Sequence, residues 1–360
     1  MGGSQWRAER ETQGDSGVSK PDDILIVGQG LAGTCLAWRL WDRGVKFRIA
    51  EKGGRRGSSI VAAGMMSPVT GRAMNPTWQV DRYLPEAMRF YQTIEKIVGE
   101  NFLHEVPVLR LFSSEKERGK FEDRKGKLEQ WTDEVLDRVG GGVHGEFGGV
   151  VWKGAGWLKT QRFLSASKGY FREHGLYEGR EVSAEEFMVR KGTTILCKGA
   201  AGLGKGAFGY LPERRAKGEI LTVKVPGLAE DRILSRNGWM IPRGGGLFRA
   251  GSGYEWNDLT PEPTTAGREK VEEIVRSLTS LDYEVLDHMA GIRPIVRSSQ
   301  PVIGWHRENE NLGIFNGLGS KGVMYAPGVA RALTEHLCSG SALSDELDVA
   351  GLDVEDEGAA

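Results

Sequence analysis

Short apolar runs alternate along this chain with longer stretches in which apolar residues recur every three or four positions. The run Ile24–Val27, bounded by Asp23 and Gly28, reads as a buried strand; positions 31–43 keep a helical period, and 46–50 return to a strand. Helical patterns recur over 79–98, 115–138, 159–173 and 265–278. Strand-like stretches lie at 106–112, 149–152, 194–197, 219–225 and 238–254, the last a meander broken at Gly244-Gly245-Gly246. Strands and helices alternate early and strands cluster later. That order predicts an α/β chain in which a Rossmann-like domain carries an inserted, mainly antiparallel β-sheet domain. The predicted division gives 22–78, 150–214 and 286–341 to the first domain and 79–149 and 215–285 to the second. A disordered polar arm is expected at 1–21 and a frayed acidic tail at 342–360.

Charge and cysteine content narrow the function classes. Lys plus Arg total 48 against 49 acids, a net charge of −1, which argues against a chain that wraps nucleic acid or hugs an anionic membrane. Cys35, Cys197 and Cys338 are scattered with no CxxC pair, so neither a disulfide scaffold nor a zinc ribbon is expected, and a reducing, cytoplasmic setting is. Apolar runs fall far short of the roughly 20 residues of a membrane span. The start MGGSQWRAERETQG has no apolar core, so no secretory signal is expected. The charged stretch 114–138 interleaves both signs and reads as a solvated helix face, with an RNA-docking surface as the minor alternative. Glycine is the outlier: 52 in 360 residues is twice the average of roughly 7%.

Some of that glycine falls into a pattern. Gly28, Gly30 and Gly33 follow the first strand and open a helix whose first turn includes Leu31 and Ala32. Gly28 permits the tight turn, Gly30 lets a pyrophosphate approach the backbone, and Gly33 lets helix pack on strand. The helix N-terminus offers free N–H groups to phosphate. Glu51 ends the second strand, where a carboxylate accepts from an adenosine ribose and disfavours a 2′-phosphate. The spacing leaves NAD and FAD both open. Beyond Glu51 and Lys52 run small and hydroxyl residues, among them Ser59, Ala63, Gly64 and Met65. Ala62-Ala63-Gly64 suits either the edge of a flat ring or a tightly packed small-residue helix. Near the other end, Arg293 precedes Pro294, which restricts it to extended backbone and suits it to fixed carboxylate recognition. Asn316-Gly317-Leu318-Gly319-Ser320-Lys321-Gly322 then opens a second helix.

These motifs, taken in order (the Gly28/Gly30/Gly33/Glu51 start, AAGMMSP at 62–68, GIRP at 291–294 and the NGLGSKG…AP ending), resemble the FAD-dependent D-amino acid oxidase superfamily. That superfamily includes glycine oxidase, sarcosine oxidase and D-amino acid dehydrogenase. The ending is also similar to the FAD module of the tRNA wobble-uridine modification enzyme, which cleaves a carboxymethyl group from an amine. The similarity covers about 22–75 and 288–340. It implies a glutathione-reductase-like FAD domain with an inserted substrate domain. It further implies that Arg293 binds a substrate carboxylate, that Ala63, Gly64 and Met65 line the flavin, and that Gly317 through Gly322 approach its pyrimidine edge. Val182 would contact adenine through its backbone, and Lys198, Gly199 and Ala200 would run beside the pyrophosphate and flavin; Lys52 and Ser59 are assigned to the same cofactor. Tyr254 falls where relatives place a substrate-facing residue, with half-buried strand packing as the alternative. Lys321 is either a cation near the flavin or an exposed lysine on a turn. Sarcosine-oxidase-type enzymes attach flavin to a cysteine just after the GIRP-like segment; 295–301 has none, so noncovalent FAD is expected.

The resulting expectation is an FAD-dependent oxidoreductase that oxidises the C–N bond of a small amine or amino acid by hydride transfer. No metal is expected. Oxygen, a quinone and a partner protein all remain open as electron acceptor. A tRNA wobble-uridine demodifying enzyme is the second reading, against which stand the near-neutral charge and the lack of a methyltransferase module in 360 residues. A dinucleotide-binding sensor without turnover is the third, and it would not require Arg293.

Overall fold

The computed structural model describes residues 23–53 and 57–352. The polar arm and most of the second half of the acidic tail lie outside that range, as do Gly54, Arg55 and Arg56. Ile24–Val27, buried throughout, is the kind of continuous apolar strand that a sheet covered on both faces requires. It sits inside a six-stranded sheet, flanked in parallel by Phe47–Ala50 and Thr194–Leu196. Tyr177–Glu178 and Asn309–Asn316 extend it in parallel, and Val302–His306 closes one edge antiparallel. The expected Rossmann-like unit is therefore present.

The second sheet has eight strands, in the order Glu284–Arg293, Ala216–Lys224, Leu247–Gly251, Trp239–Gly244, Ile233–Ser235, Val108–Leu111, Gly149–Trp152 and Thr132–Leu136. All pairs are antiparallel except Ile233–Ser235 with Val108–Leu111. One face packs on helix Thr265–Leu278 through Leu221, Val223, Phe248 and Ala250. The alternate residues of the same strands face the dinucleotide domain.

Three expectations need correction. The stretch 115–138 is not one helix: it breaks into Glu115–Glu122, Lys125–Leu128 and a 3-10 turn, then becomes the edge strand Thr132–Leu136. Ser114 caps only the first piece, and pairing to Gly149–Trp152 outweighs the helical charge pattern. The boundary at 149/150 cuts through Gly149–Trp152, which belongs to the eight-stranded sheet, and that at 285/286 cuts through Glu284–Arg293. The first part of the expected tail is not frayed. Leu347 and Val349 are buried, and Ile303 N–H donates to Leu347 O at 2.8 Å.

The helix Gly322–Ser339 is pinned by a buried carboxylate. Glu86 accepts from Arg39 of the fingerprint helix at 2.7 Å and from Arg331 at 2.6 and 2.9 Å. Three helices thus meet at one charge cluster.

Candidate active site

One cavity of about 1,800 Å³ runs from Glu51 and Val182 at the end of the parallel sheet to Arg293 and Tyr254 on the antiparallel one. Small-ligand pockets span ~300–1,000 Å³, so this space exceeds what a compact substrate alone requires. Every residue expected on the cofactor track lines it except Gly33 and Gly317. Gly33 sits behind the wall: a Cβ there would lie 2.0 Å from Gly28 O, so its role is helix-to-strand packing. Gly317 is likewise a turn residue set behind the wall, where a Cβ would lie 3.0 Å from Gln300 O. At Gly28 the backbone is left-handed, with φ of +109°.

The end of the cavity at the parallel sheet carries donors and acceptors of the kind a dinucleotide requires. The Leu31–Asp42 and Gly322–Ser339 helices both point their N-termini at the cavity, and neither has an acidic residue in its first turn. Leu31 N–H donates to Ser59 Oγ at 3.1 Å. The Glu51 carboxylate accepts from Gln29 N–H at 2.8 Å, which orients it at the strand end. Of the two open readings of Ala62-Ala63-Gly64, the tightly packed small-residue helix does not hold. The helix Ser58–Val61 ends at Ala62, and 62–64 line the cavity and turn through left-handed Gly64, with φ of +81°, into Met65–Met66. Gly64 lies so close to the next segment that a Cβ would come within 2.0 Å of Leu158 O.

At the other end, the strand Glu284–Arg293 delivers Arg293 to the cavity. Its Nη2 donates to Ser252 Oγ at 2.6 Å and to Gly253 O at 3.1 Å, and its Nη1 to Gly253 O at 3.1 Å and Lys217 O at 3.3 Å. The guanidinium carbon lies 4.1 Å from the ring centroid of Tyr254, which in turn stacks on Trp256. No acidic side chain pairs with Arg293 among the described residues, and burial pushes its guanidinium below the usual range. Tyr254 is not half-buried strand packing. The strand ends at Gly251, and Tyr254 stands on the following loop, 47% exposed at the cavity mouth.

Sequence reasoning missed the bed on which Arg293 lies. A Cβ on Gly218 would fall 2.2 Å from Arg293 Nη2. The obstacle is the far end of a flexible side chain, so Gly218→Ala should displace the guanidinium and leave the fold intact. Substrate KM should rise about ten- to a hundred-fold with FAD content and thermal midpoint unchanged, as steady-state kinetics and absorbance would read.

Lys321 is not the exposed turn lysine. Its Nζ donates to Thr70 Oγ1 at 3.0 Å, and burial pushes its ammonium below the usual value of about 10.4. Its charge is therefore lost, as pH rises, sooner than that of a free lysine. The unfolded chain binds that proton more tightly, so over the same alkaline window folding stability gains with pH. Turnover should fall there while thermal stability does not, and Lys321→Met should abolish both responses in parallel pH series.

A parallel sheet of the Rossmann type, an antiparallel sheet and one cavity joining them make up the architecture into which these residues are built. The chain belongs to the DAO family of FAD-dependent oxidoreductases, whose family model matches residues 23–336. It is 23% identical to the tRNA 5-methylaminomethyl-2-thiouridine biosynthesis bifunctional protein MnmC of Marinobacter nauticus, over 88% of this chain and 56% of that protein. Glycine oxidase of Bacillus licheniformis is 26% identical over 33% of each chain. The chain spans about half the length of the MnmC proteins it matches, 56% and 55%. Its fold is similar to glycine oxidase from Geobacillus kaustophilus (TM-score 0.75, 17% identity, 94% of this chain and 100% of that one). It is also similar to iminodiacetate oxidase from Chelativorans sp. BNC1 (TM-score 0.68, 18% identity, 87% and 94%). Among the described residues no helix is long and apolar enough to cross a membrane, and no His/Cys/Asp/Glu cluster could hold a metal.

Proposed function

We propose that this protein oxidises the C–N bond of a small amine or amino acid, glycine-like or a D-amino acid, using noncovalently held FAD. The observation that carries this reading is the Arg293 guanidinium, fixed in the cavity by four hydrogen bonds and free of any acid partner among the described residues. FAD, when bound, supplies the hydride acceptor. Residues of the chain would hold it: Glu51 the ribose, the two helix N-termini the phosphates, Val182 the adenine, and 62–65 with 318–322 the ring system.

Arg293 draws in the substrate carboxylate by its positive charge. Its four Nη–H donors are held by Ser252, Gly253 and Lys217, so the carboxylate reaches the planar fork by taking the place of the Ser252 hydroxyl, while the carbonyls of Gly253 and Lys217 keep the guanidinium in one direction. The scissile C–H bond is then presented in a single orientation, and such alignment can contribute roughly 7–11 kcal/mol. Tyr254 covers the guanidinium. The positive charges of Arg293 and Lys321 in the cavity lining disfavour a protonated substrate amine. The Lys321 charge also favours negative charge developing in the site. These roles need no acid–base pair.

Anaerobic mixing of FAD-loaded protein with D-amino acids, glycine, sarcosine and N-carboxymethyl amines should bleach the flavin with at least one of them. A loaded protein that none of them reduces would remove the reading.

A second reading places the carboxymethyl amine on a tRNA uridine. It is supported by the 88% span of the match to the Marinobacter nauticus protein and by Arg72 and Arg236, which line the same cavity as Arg293. Its signature is activity on tRNA that falls steeply with salt.

A further inference from the structure

Two arginines on the antiparallel sheet point at the backbone assigned above to the flavin. Arg249 donates from Nη2 to Val61 O at 2.7 Å and from Nη1 to Ala62 O at 3.1 Å. Arg243, on the adjacent strand, donates from Nη2 to Ala63 O at 2.7 Å. Its guanidinium carbon lies 3.7 Å from the centroid of Trp157, which stacks on His104. Neither arginine lines the cavity; they stand behind the segment that does.

Neither charge has a direct counter-ion: neither forms an ion pair among the described residues, and the Nε of each is buried without a partner. Asp287 influences Arg249 from two strands away, across Thr222, and the two guanidinium groups repel one another. Burial pushes Arg243 down to about 9 and Arg249 to about 10, so both stay charged at neutral pH. Burying a cation without a counter-ion is unfavourable by several kcal/mol. Neutral donors would satisfy the same carbonyls, so the positive charge itself needs a reason.

We propose that Arg243 and Arg249 form an electrostatic clamp for the flavin: they fix the 61–63 backbone through its carbonyls and place two positive charges behind it that favour negative charge on the isoalloxazine. This rests on the FAD reading above. Both are positioning residues, since they act through the segment they hold.

Sulfite tests the clamp without turnover, because it adds to oxidised flavin and leaves a negative charge on the ring. In FAD-loaded Arg249→Met and Arg243→Met, the sulfite Kd should rise about ten-fold or more, while Arg249→Lys stays within about three-fold of wild type. Wild-type sulfite affinity in the methionine variants would overturn the clamp. Should those variants not fold, the unmutated chain decides: its flavin midpoint potential should lie above that of free FAD, and a value at or below it would overturn the proposal. A chain that takes up no FAD would overturn the cofactor reading and the clamp together; one that binds FAD with unaltered sulfite affinity in the variants would overturn the clamp alone.

Discussion

Arg293→Ala should leave the protein yellow and folded while raising substrate KM roughly 30-fold to several thousand-fold, the range set by truncating one partner of a buried charge pair at ~2–5 kcal/mol. The guanidinium touches Ser252, Gly253 and Lys217 at the substrate end, and none of these belongs to the dinucleotide end. FAD content should therefore not change. Arg293→Lys keeps a charge but loses the planar fork, so its KM should fall between those of wild type and the alanine variant. Steady-state kinetics with the substrate that bleaches the flavin, alongside absorbance of each purified variant, reads both quantities. Loss of FAD with unaltered KM would reassign Arg293 to the cofactor.

Gly33→Ala should produce the opposite pattern. The new Cβ would lie 2.0 Å from Gly28 O and 3.1 Å from Ile26 Cγ2, and the oxygen belongs to backbone that cannot swing aside. Helix Leu31–Asp42 must lift from the first strand, which costs about 3 kcal/mol or more and displaces the Gly28–Gly30 turn. The thermal midpoint should fall by about 2–4 °C for each kcal/mol lost, and FAD should no longer co-purify. Gly169→Ala is the control. It lies inside Thr160–Glu173 with nothing within 4 Å of its would-be Cβ, so alanine should stabilise by about 0.5–1 kcal/mol and leave FAD uptake alone. Thermal unfolding with and without added FAD separates the two.

These contrasts also mark where the sequence was legible. The unit from Ile24 to Glu51 could be read because each glycine answers a local demand: a left-handed turn at Gly28 and a backbone contact at Gly33. Arg293 could be read because the following proline restricts its backbone. Its partners could not. Gly253 and Lys217 bind it through carbonyl oxygens, which every residue possesses, and Gly218 matters only because a strand neighbour lies across it. Thr132–Leu136 was misread as helix because its strand character comes from pairing with Gly149–Trp152, a contact no local pattern carries. Arg243 and Arg249 look like solvent-facing charges on a meander. They are partly buried because the 61–63 backbone of the other domain lies over that face and accepts their hydrogen bonds.

The central claim is that the cavity between the two glycine-rich ends holds FAD. Its most direct test is the visible absorption spectrum of the purified chain, before and after incubation with FAD and gel filtration. The account expects flavin bands to co-elute with the protein at one FAD per chain. Protein that stays colourless and returns all added FAD to the buffer would contradict it.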